Sequence, residues 1–227
     1  MDDTHRQVAN AFHTIYYHHA RGEPLRRAWE DTYWLGMRVH KNPMDLWNYQ
    51  EIMTRLRPRV IVETGVHMGG SILYYATMGM LTGVEQVIGI DIKIFDTAAP
   101  LRQLTNVTLI EGSSTDPDVV DQVRGLVAGR SALVILDSDH ARDHVLQEMR
   151  LYHEFVPMGG YLIVEDSNVN SHPVYPQHGP GPFEAIDLFL AENDQFEIDT
   201  YRCEKFYLTF NPNGYLKRVK ENSNCSR

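Results

Sequence analysis

Three shortages in this sequence each close off a class of protein. Cysteine is nearly absent: Cys203 and Cys225 are the two in 227 residues. That is too few for a disulfide framework, and it fits a reducing cytoplasm. No apolar run reaches the roughly 18 residues of a membrane span. Met1-Asp2-Asp3 begins the chain without the basic and then apolar pattern of an export signal, so export is not expected. Basic charge is also short, at 21 Lys and Arg against 30 Asp and Glu, for a net charge of -9. Nucleic-acid binding needs a clustered basic face. The densest stretch, Arg55, Arg57 and Arg59, is interrupted by Leu56 and Pro58 and reads as a solvated face. The expectation is a cytoplasmic protein with no nucleic-acid partner and no membrane span. Internal repeats and low-complexity segments are missing too.

What is present suits one globular domain, 43% hydrophobic and 22% charged. Residues 1–56 read as a helical, amphipathic N-terminal cap or lid rich in aromatics: Phe12, Tyr16, Tyr17, Trp29, Tyr33, Trp34, Trp47 and Tyr49. Such a segment also suits an oligomer surface, so a homo-oligomer is expected. Within it, Asn42-Pro43 marks a helix start, with the helix running to about Leu56. Residues 57–218 form the expected core and 219–227 a polar tail. In the core, short apolar runs at Arg59 to Val62, Val87 to Ile90, Val107 to Ile110, Ala132 to Leu136 and Tyr161 to Val164 read as strands buried on both faces. Helical patterns at Gly70 to Met80, Pro117 to Val127 and 141–156 alternate with them. Alternation of this kind predicts an α/β doubly wound, mostly parallel sheet. A last helix from Phe183 to Glu192 leads to Phe196–Tyr201 and Lys205–Phe210, which read as an antiparallel hairpin at the sheet edge.

Chemistry is concentrated where strands end. The first strand runs into Glu63-Thr64-Gly65-Val66-His67-Met68-Gly69-Gly70-Ser71. Glycines there allow close backbone approach to a ligand, and the following helix presents free N–H groups. The spacing of Gly65 and Gly69 is not the dinucleotide Gly-x-Gly-x-x-Gly fingerprint. A strand ending in Glu63 suits an amino-acid ammonium, hence the methionine end of S-adenosylmethionine. Asp91 ends the second strand, where a carboxylate can take both ribose hydroxyls. Ser113 and Ser114 follow the third strand and can meet the adenine, while Asp116 before Pro117 suits a helix cap. The fourth strand ends in Asp137-Ser138-Asp139-His140 and the fifth in Glu165-Asp166-Ser167-Asn168. In a parallel sheet these emerge at one edge, and converging carboxylates call for a cation. All-oxygen ligation suits Mg²⁺ or Mn²⁺. Asp137 and Asp139 both fall where a ligand can sit; Asp137, directly ending the strand, is preferred and also borders the cofactor. His140 can take a proton from an acceptor hydroxyl, with Asp139 as the second candidate. His144 reads as a surface residue. The long loop 167–182, with four prolines, reads as an acceptor-binding loop.

Together these stretches resemble a known group. Asp45-Leu46-Trp47-Asn48-Tyr49-Gln50-Glu51-Ile52, Val62 to Ser71, Leu136 to His140, Val164 to Asn168, Gly179-Pro180-Gly181-Pro182 and the segment from Glu204 to Lys217 are similar to those of metal-dependent class I O-methyltransferases. More narrowly, the chain resembles the cephalosporin hydroxylase and rhamnosyl O-methyltransferase family, over residues 30 to 218. The resemblance implies a seven-stranded Rossmann-like class I methyltransferase fold with S-adenosylmethionine and Mg²⁺ as cofactors. It matches Asp137, Glu165 and Asp166 to the metal ligands and His140 to the general base. The implied acceptor is a small molecule, a deoxysugar or a glycosylated natural product or cell-surface glycan. The alternative is an oxygenase of antibiotic tailoring on the same fold. The sequence lacks an evident two-histidine, one-carboxylate iron site.

Overall fold

The computed structural model describes residues 1–221; the rest of the expected tail, with Cys225, lies outside the described residues. Seven strands form the central sheet: β1 Val60–Thr64, β2 Gln86–Asp91, β3 Val107–Glu111, β4 Ala132–Leu136, β5 Tyr161–Val164, β6 Phe196–Ile198 and β7 Tyr215–Arg218. Their spatial order is β6-β7-β5-β4-β1-β2-β3. β5, β4, β1, β2 and β3 run parallel, and β7 is antiparallel to both its neighbours. The chain leaves β1 toward β2 and β3 and returns to place β4 on β1's other side. The β1–β4 junction is therefore the switch point, where the crevice of such a sheet opens.

The continuous apolar strands bury both faces. Val60, Val62, Val134 and Leu136 pack with α4 Pro117–Val127, α5 Arg142–Tyr152 and α6 Pro182–Glu192. The alternating residues Ile61, Leu133 and Ile135 pack on the opposite face with α2 Pro43–Leu56 and α3 Gly70–Thr82. Local signals agree with these boundaries. Asn42 caps α2 by accepting from Met44 N at 3.2 Å, and Asp116 caps α4 by accepting from Asp118 N at 2.8 Å; a proline follows each.

Two segments depart from the sequence-based expectation. The N-terminal segment is helical only in α1 Asp3–His18 and α2. Between them, Ala20–Arg21 pairs with Arg26–Arg27 and Tyr33–Trp34 with Met37–Arg38 in two small hairpins. Gly22 and Gly36 sit at φ +80 and +85 in the turns and break the helix the aromatic pattern suggested. At the other end, Lys205–Phe210 is not a strand. Residues Thr200–Glu204 form a short helix, α7, and the antiparallel partner of β6 is Tyr215–Arg218. The apolar run is drawn off by other partners. Phe210 N donates to Asp45 at 2.8 Å, Thr209 Oγ1 donates to the same carboxylate, and Asn168 N donates to Phe210 O at 3.1 Å. Asp45 is buried and also accepts from Tyr215 OH and Asn42 Nδ2, which ties α2 to β7.

Helix α1 docks through His13. Its ring stacks on Phe210, with centroids 5.4 Å apart, and its Nε2 accepts from Asn168 Nδ2 at 3.0 Å. That bond needs a neutral ring, and burial pushes the His13 pKa down to about 4. The unfolded residue takes its proton near ~6.5. Between those values the unfolded chain binds more protons, so stability falls as the pH falls. Across the interval the penalty grows to about 3 kcal/mol. Urea unfolding at pH 7 and pH 4.5 checks this: the wild type should lose more stability on acidification than His13→Gln. Equal losses would remove His13 as the acid-sensitive contact.

Candidate active site

The carboxyl ends of β1 through β5 open on one cavity of about 750 Å³. Its floor is the turn from β1 into α3. Gly65 has φ +88, and a Cβ there would lie 1.9 Å from the Asp137 carbonyl oxygen, so only glycine lets β1 and β4 meet at the switch point. Asp91 closes the same turn from β2. Its Oδ2 accepts from the backbone N–H of Val66 and His67, each at 2.9 Å, while Oδ1 accepts from Lys93 N at 3.1 Å. Gly65, His67, Gly69, Gly70, Ser71, Asp91, Ser113, Ser114, Asp137, Asp139, His140 and Asp166 all line the cavity. Glu63, Thr64 and Glu165 do not; they lie beneath it. Glu63 is fully buried and accepts from Ser71 Oγ at 2.6 Å. Thr64 accepts the Asp137 N–H through its carbonyl at 3.0 Å and its hydroxyl at 3.2 Å.

The acids and His140 fall into two groups that share Asp137. In one, the ligand atoms of Asp137, His140 and Asp166 lie within 4.8 Å of one another; in the other, those of Glu63, Asp137 and Glu165 do. The expected metal ligands Asp137, Glu165 and Asp166 are spread over the two groups, with Asp137 common to both. A residue the sequence reading missed joins two of them. The Lys41 ammonium, 2% exposed, is 2.6 Å from Asp137 Oδ2, 2.6 Å from Glu165 Oε1 and 3.1 Å from Glu63 Oε1. Tyr49 OH also donates to Glu165 Oε1, at 2.8 Å. Burial pushes the Glu63, Asp137 and Glu165 carboxyls upward, against the pull of Lys41. His140 Nε2 lies 3.1 Å from Asp166 Oδ2. Burial opposes charge on both, but their mutual bond wins: Asp166 is held below its usual range and His140 is raised to about 9.

A hard divalent cation fits this donor set. Among the described residues, no hydrogen bond reaches Asp137 Oδ1, Asp166 Oδ1 or Glu165 Oε2, since the protein donors use the other oxygen of each. Asp139 stands apart from both groups. It is exposed, and its Oδ1 accepts from Ala141 N at 2.7 Å at the entrance to α5. Neither group holds two histidines with one carboxylate, the set that a non-haem iron oxygenase uses.

Two other expectations change. His144 is not a surface residue but part of the cavity wall. Its Nε2 lies 3.3 Å from Ser114 Oγ and 3.1 Å from Ser138 Oγ, over the fully buried Glu148. No residue of the 167–182 loop lines the cavity. Glu184 ties that loop down, accepting from Gly181 N at 2.6 Å and Asn170 Nδ2 at 2.8 Å, with His172 Nε2 at 3.0 Å. The upper wall comes from the N-terminal segment: Tyr17, Trp29, Arg38 and His40. Tyr17 and Trp29 stack with centroids 5.4 Å apart, and the buried His40 Nε2 has no hydrogen-bond partner among the described residues. No spacing rule marks these residues in the sequence; the fold brings them over the strand ends.

Comparison with known proteins finds relatives along nearly the whole chain. The family described as Rhamnosyl O-methyltransferase/CmcI matches residues 26–219. A rhamnosyl O-methyltransferase of Mycobacterium leprae (strain TN) is 39% identical over 215 residues, covering 93% of this chain and 90% of that protein. One from Mycobacterium tuberculosis (strain ATCC 25618 / H37Rv) is 39% identical over 218 residues, covering 93% and 85%. A solved structure of CmcI with Mg and SAM superposes with a TM-score of 0.66 at 25% identity, covering 91% of this chain and 84% of that one.

Proposed function

The chain belongs to the rhamnosyl O-methyltransferase/CmcI family, and on that premise we propose how its cavity carries out S-adenosylmethionine-dependent O-methylation of a sugar hydroxyl. The observation that carries the reading is the β1–β4 switch point, where a glycine turn held by Asp91 meets the Asp137, His140 and Asp166 group. The acceptor is a rhamnosyl or related deoxysugar unit, the group for which the mycobacterial relatives are named.

Each wall then has a task. The Gly65 to Ser71 turn lies under the methionine end of the cofactor, with Glu63 supporting Ser71 from below. Three backbone N–H groups bond the Asp91 carboxylate, which leaves about one of its four lone-pair sites, on Oδ1, for a ribose hydroxyl. Ser113 and Ser114 border the adenine. Asp137, Glu165 and Asp166 would hold Mg²⁺ or Mn²⁺, each keeping one oxygen that no protein donor uses. The cation supplies Lewis acidity that lowers the pKa of the acceptor hydroxyl. His140, whose Nε2 is held by Asp166, takes the hydroxyl proton on its imidazole as the new C–O bond forms and the methyl–sulfur bond breaks. Geometry favours His140 over Asp139 in this role, because Asp139 lies outside both acid groups and its Oδ1 already accepts from Ala141 N. Tyr17 and Trp29 offer an aromatic face to the sugar ring. The exposed stripe Val8, Phe12 and Ile15 on α1 offers a homo-oligomer its contact. The low cysteine count supports a cytoplasmic site of action.

The test is transfer of labelled methyl from S-adenosylmethionine to rhamnosides in the presence of Mg²⁺, with cofactor binding followed by calorimetry. Asp91→Ala should weaken cofactor binding by ~1–3 kcal/mol, the cost of losing a charged hydrogen-bond partner. Unchanged affinity would take Asp91 out of the site. Label that reaches no rhamnosyl hydroxyl would overturn the acceptor class.

A further inference from the structure

Lys41 has no place in the reaction just described, yet it lies at its centre. It precedes the α2 cap Asn42, whose side chain is held by Asp45, so its backbone is anchored. It lines the cavity, and its ammonium meets three carboxylates from three strand ends. The ammonium donates hydrogen bonds to Asp137 and Glu165 and forms an ion pair with Glu63.

We propose that Lys41 is a positioning residue of the metal site: its ammonium ties one oxygen each of Asp137 and Glu165 and leaves the second oxygen of each to face a divalent cation. The inference rests on the reading that such a cation binds. The rival is that Lys41 merely fills the site and is expelled when the cation enters. Glu63 decides between them. It is fully buried, lies outside the cavity lining and outside the group containing Asp166, accepts its hydrogen bond from neutral Ser71 at Oε2, and has the Lys41 ammonium 3.1 Å from its other oxygen. A cation held at Asp137 and Asp166 leaves Glu63 to Lys41, and expulsion of the lysine would strand a buried charge. The lysine therefore stays. The N-terminal segment thus supplies part of the metal site's frame as well as a wall of the cavity.

Mn²⁺ binding to the cofactor-free protein, read by loss of the free-ion EPR signal, tests this without turnover. Lys41→Met should bind Mn²⁺ ~10–100-fold more weakly, the usual cost of losing a group that orients metal ligands. Equal or tighter binding by a folded Lys41→Met protein overturns the proposal. Should that variant fail to fold, nitrogen NMR of the wild-type lysine ammonium groups decides. A slowly exchanging Lys41 signal that persists and shifts on adding Mg²⁺ supports positioning; its loss to solvent exchange shows expulsion and overturns it. A wild type that binds no Mn²⁺ sinks the metal reading itself, and the role of Lys41 with it.

Discussion

Stripping divalent metal with EDTA should abolish methyl transfer, and Mg²⁺ or Mn²⁺ should restore it. Four carboxylates, Glu63, Asp137, Glu165 and Asp166, face one lysine and one histidine at the sheet edge. With Lys41 charged and His140 neutral, a divalent ion and the cofactor sulfonium would together bring this set to neutrality. Without the ion, the acceptor hydroxyl is asked to lose its proton beside excess negative charge. Lewis-acid stabilisation is worth several kcal/mol, so its loss costs on the order of a thousandfold or more in rate. Asp137→Asn is the sharper form of the experiment, because Asp137 belongs to both acid groups and keeps its size while losing its charge. Cofactor affinity, measured by calorimetry, separates this loss from simple failure to bind. Full activity in a sample shown metal-free by elemental analysis would rule out the divalent site.

His140→Ala should lower kcat by ~10²–10⁴, the usual contribution of a positioned base, and leave cofactor affinity nearly unchanged. The structure adds a condition. Without a cation, Asp166 and the neighbouring carboxylates overcome the effect of burial and raise the His140 pKa to about 9, so the ring is protonated at neutral pH and cannot accept. Asp137 and Asp166 would share their negative charge with a bound cation, and the His140 proton they hold would then be released more readily. The wild-type rate at saturating Mg²⁺ should therefore fall at low pH as the ring protonates, and the variant should lose that limb. A kcat within about threefold of wild type under those conditions would rule out general-base catalysis by His140. Asp139 would then have to release Ala141 N to serve.

The parallel core was legible because its physics is local. A strand buried on both faces must be apolar throughout, and Ala132 to Leu136 and Tyr161 to Val164 announce themselves that way. Asn42-Pro43 and Asp116-Pro117 mark helix starts by bonds within a turn. Lys205–Phe210 misled because its period resembles a strand's, whereas its backbone groups find partners on Asp45 and Asn168, far away in sequence. The same distance hid Lys41, His144 and the Tyr17–Trp29 wall.

By itself the sequence determined that acids, glycines and His140 stand at the carboxyl ends of successive parallel strands, because strand direction and side-chain period follow from composition and spacing. Only the tertiary structure decided which acids face the cavity and which face Lys41. Asp137, Glu165 and Asp166 are sorted by the direction each side chain takes from its strand end and by a lysine 96 residues from Asp137 and 124 from Glu165. Contacts of that range depend on the packing of the whole chain and leave no local pattern to read.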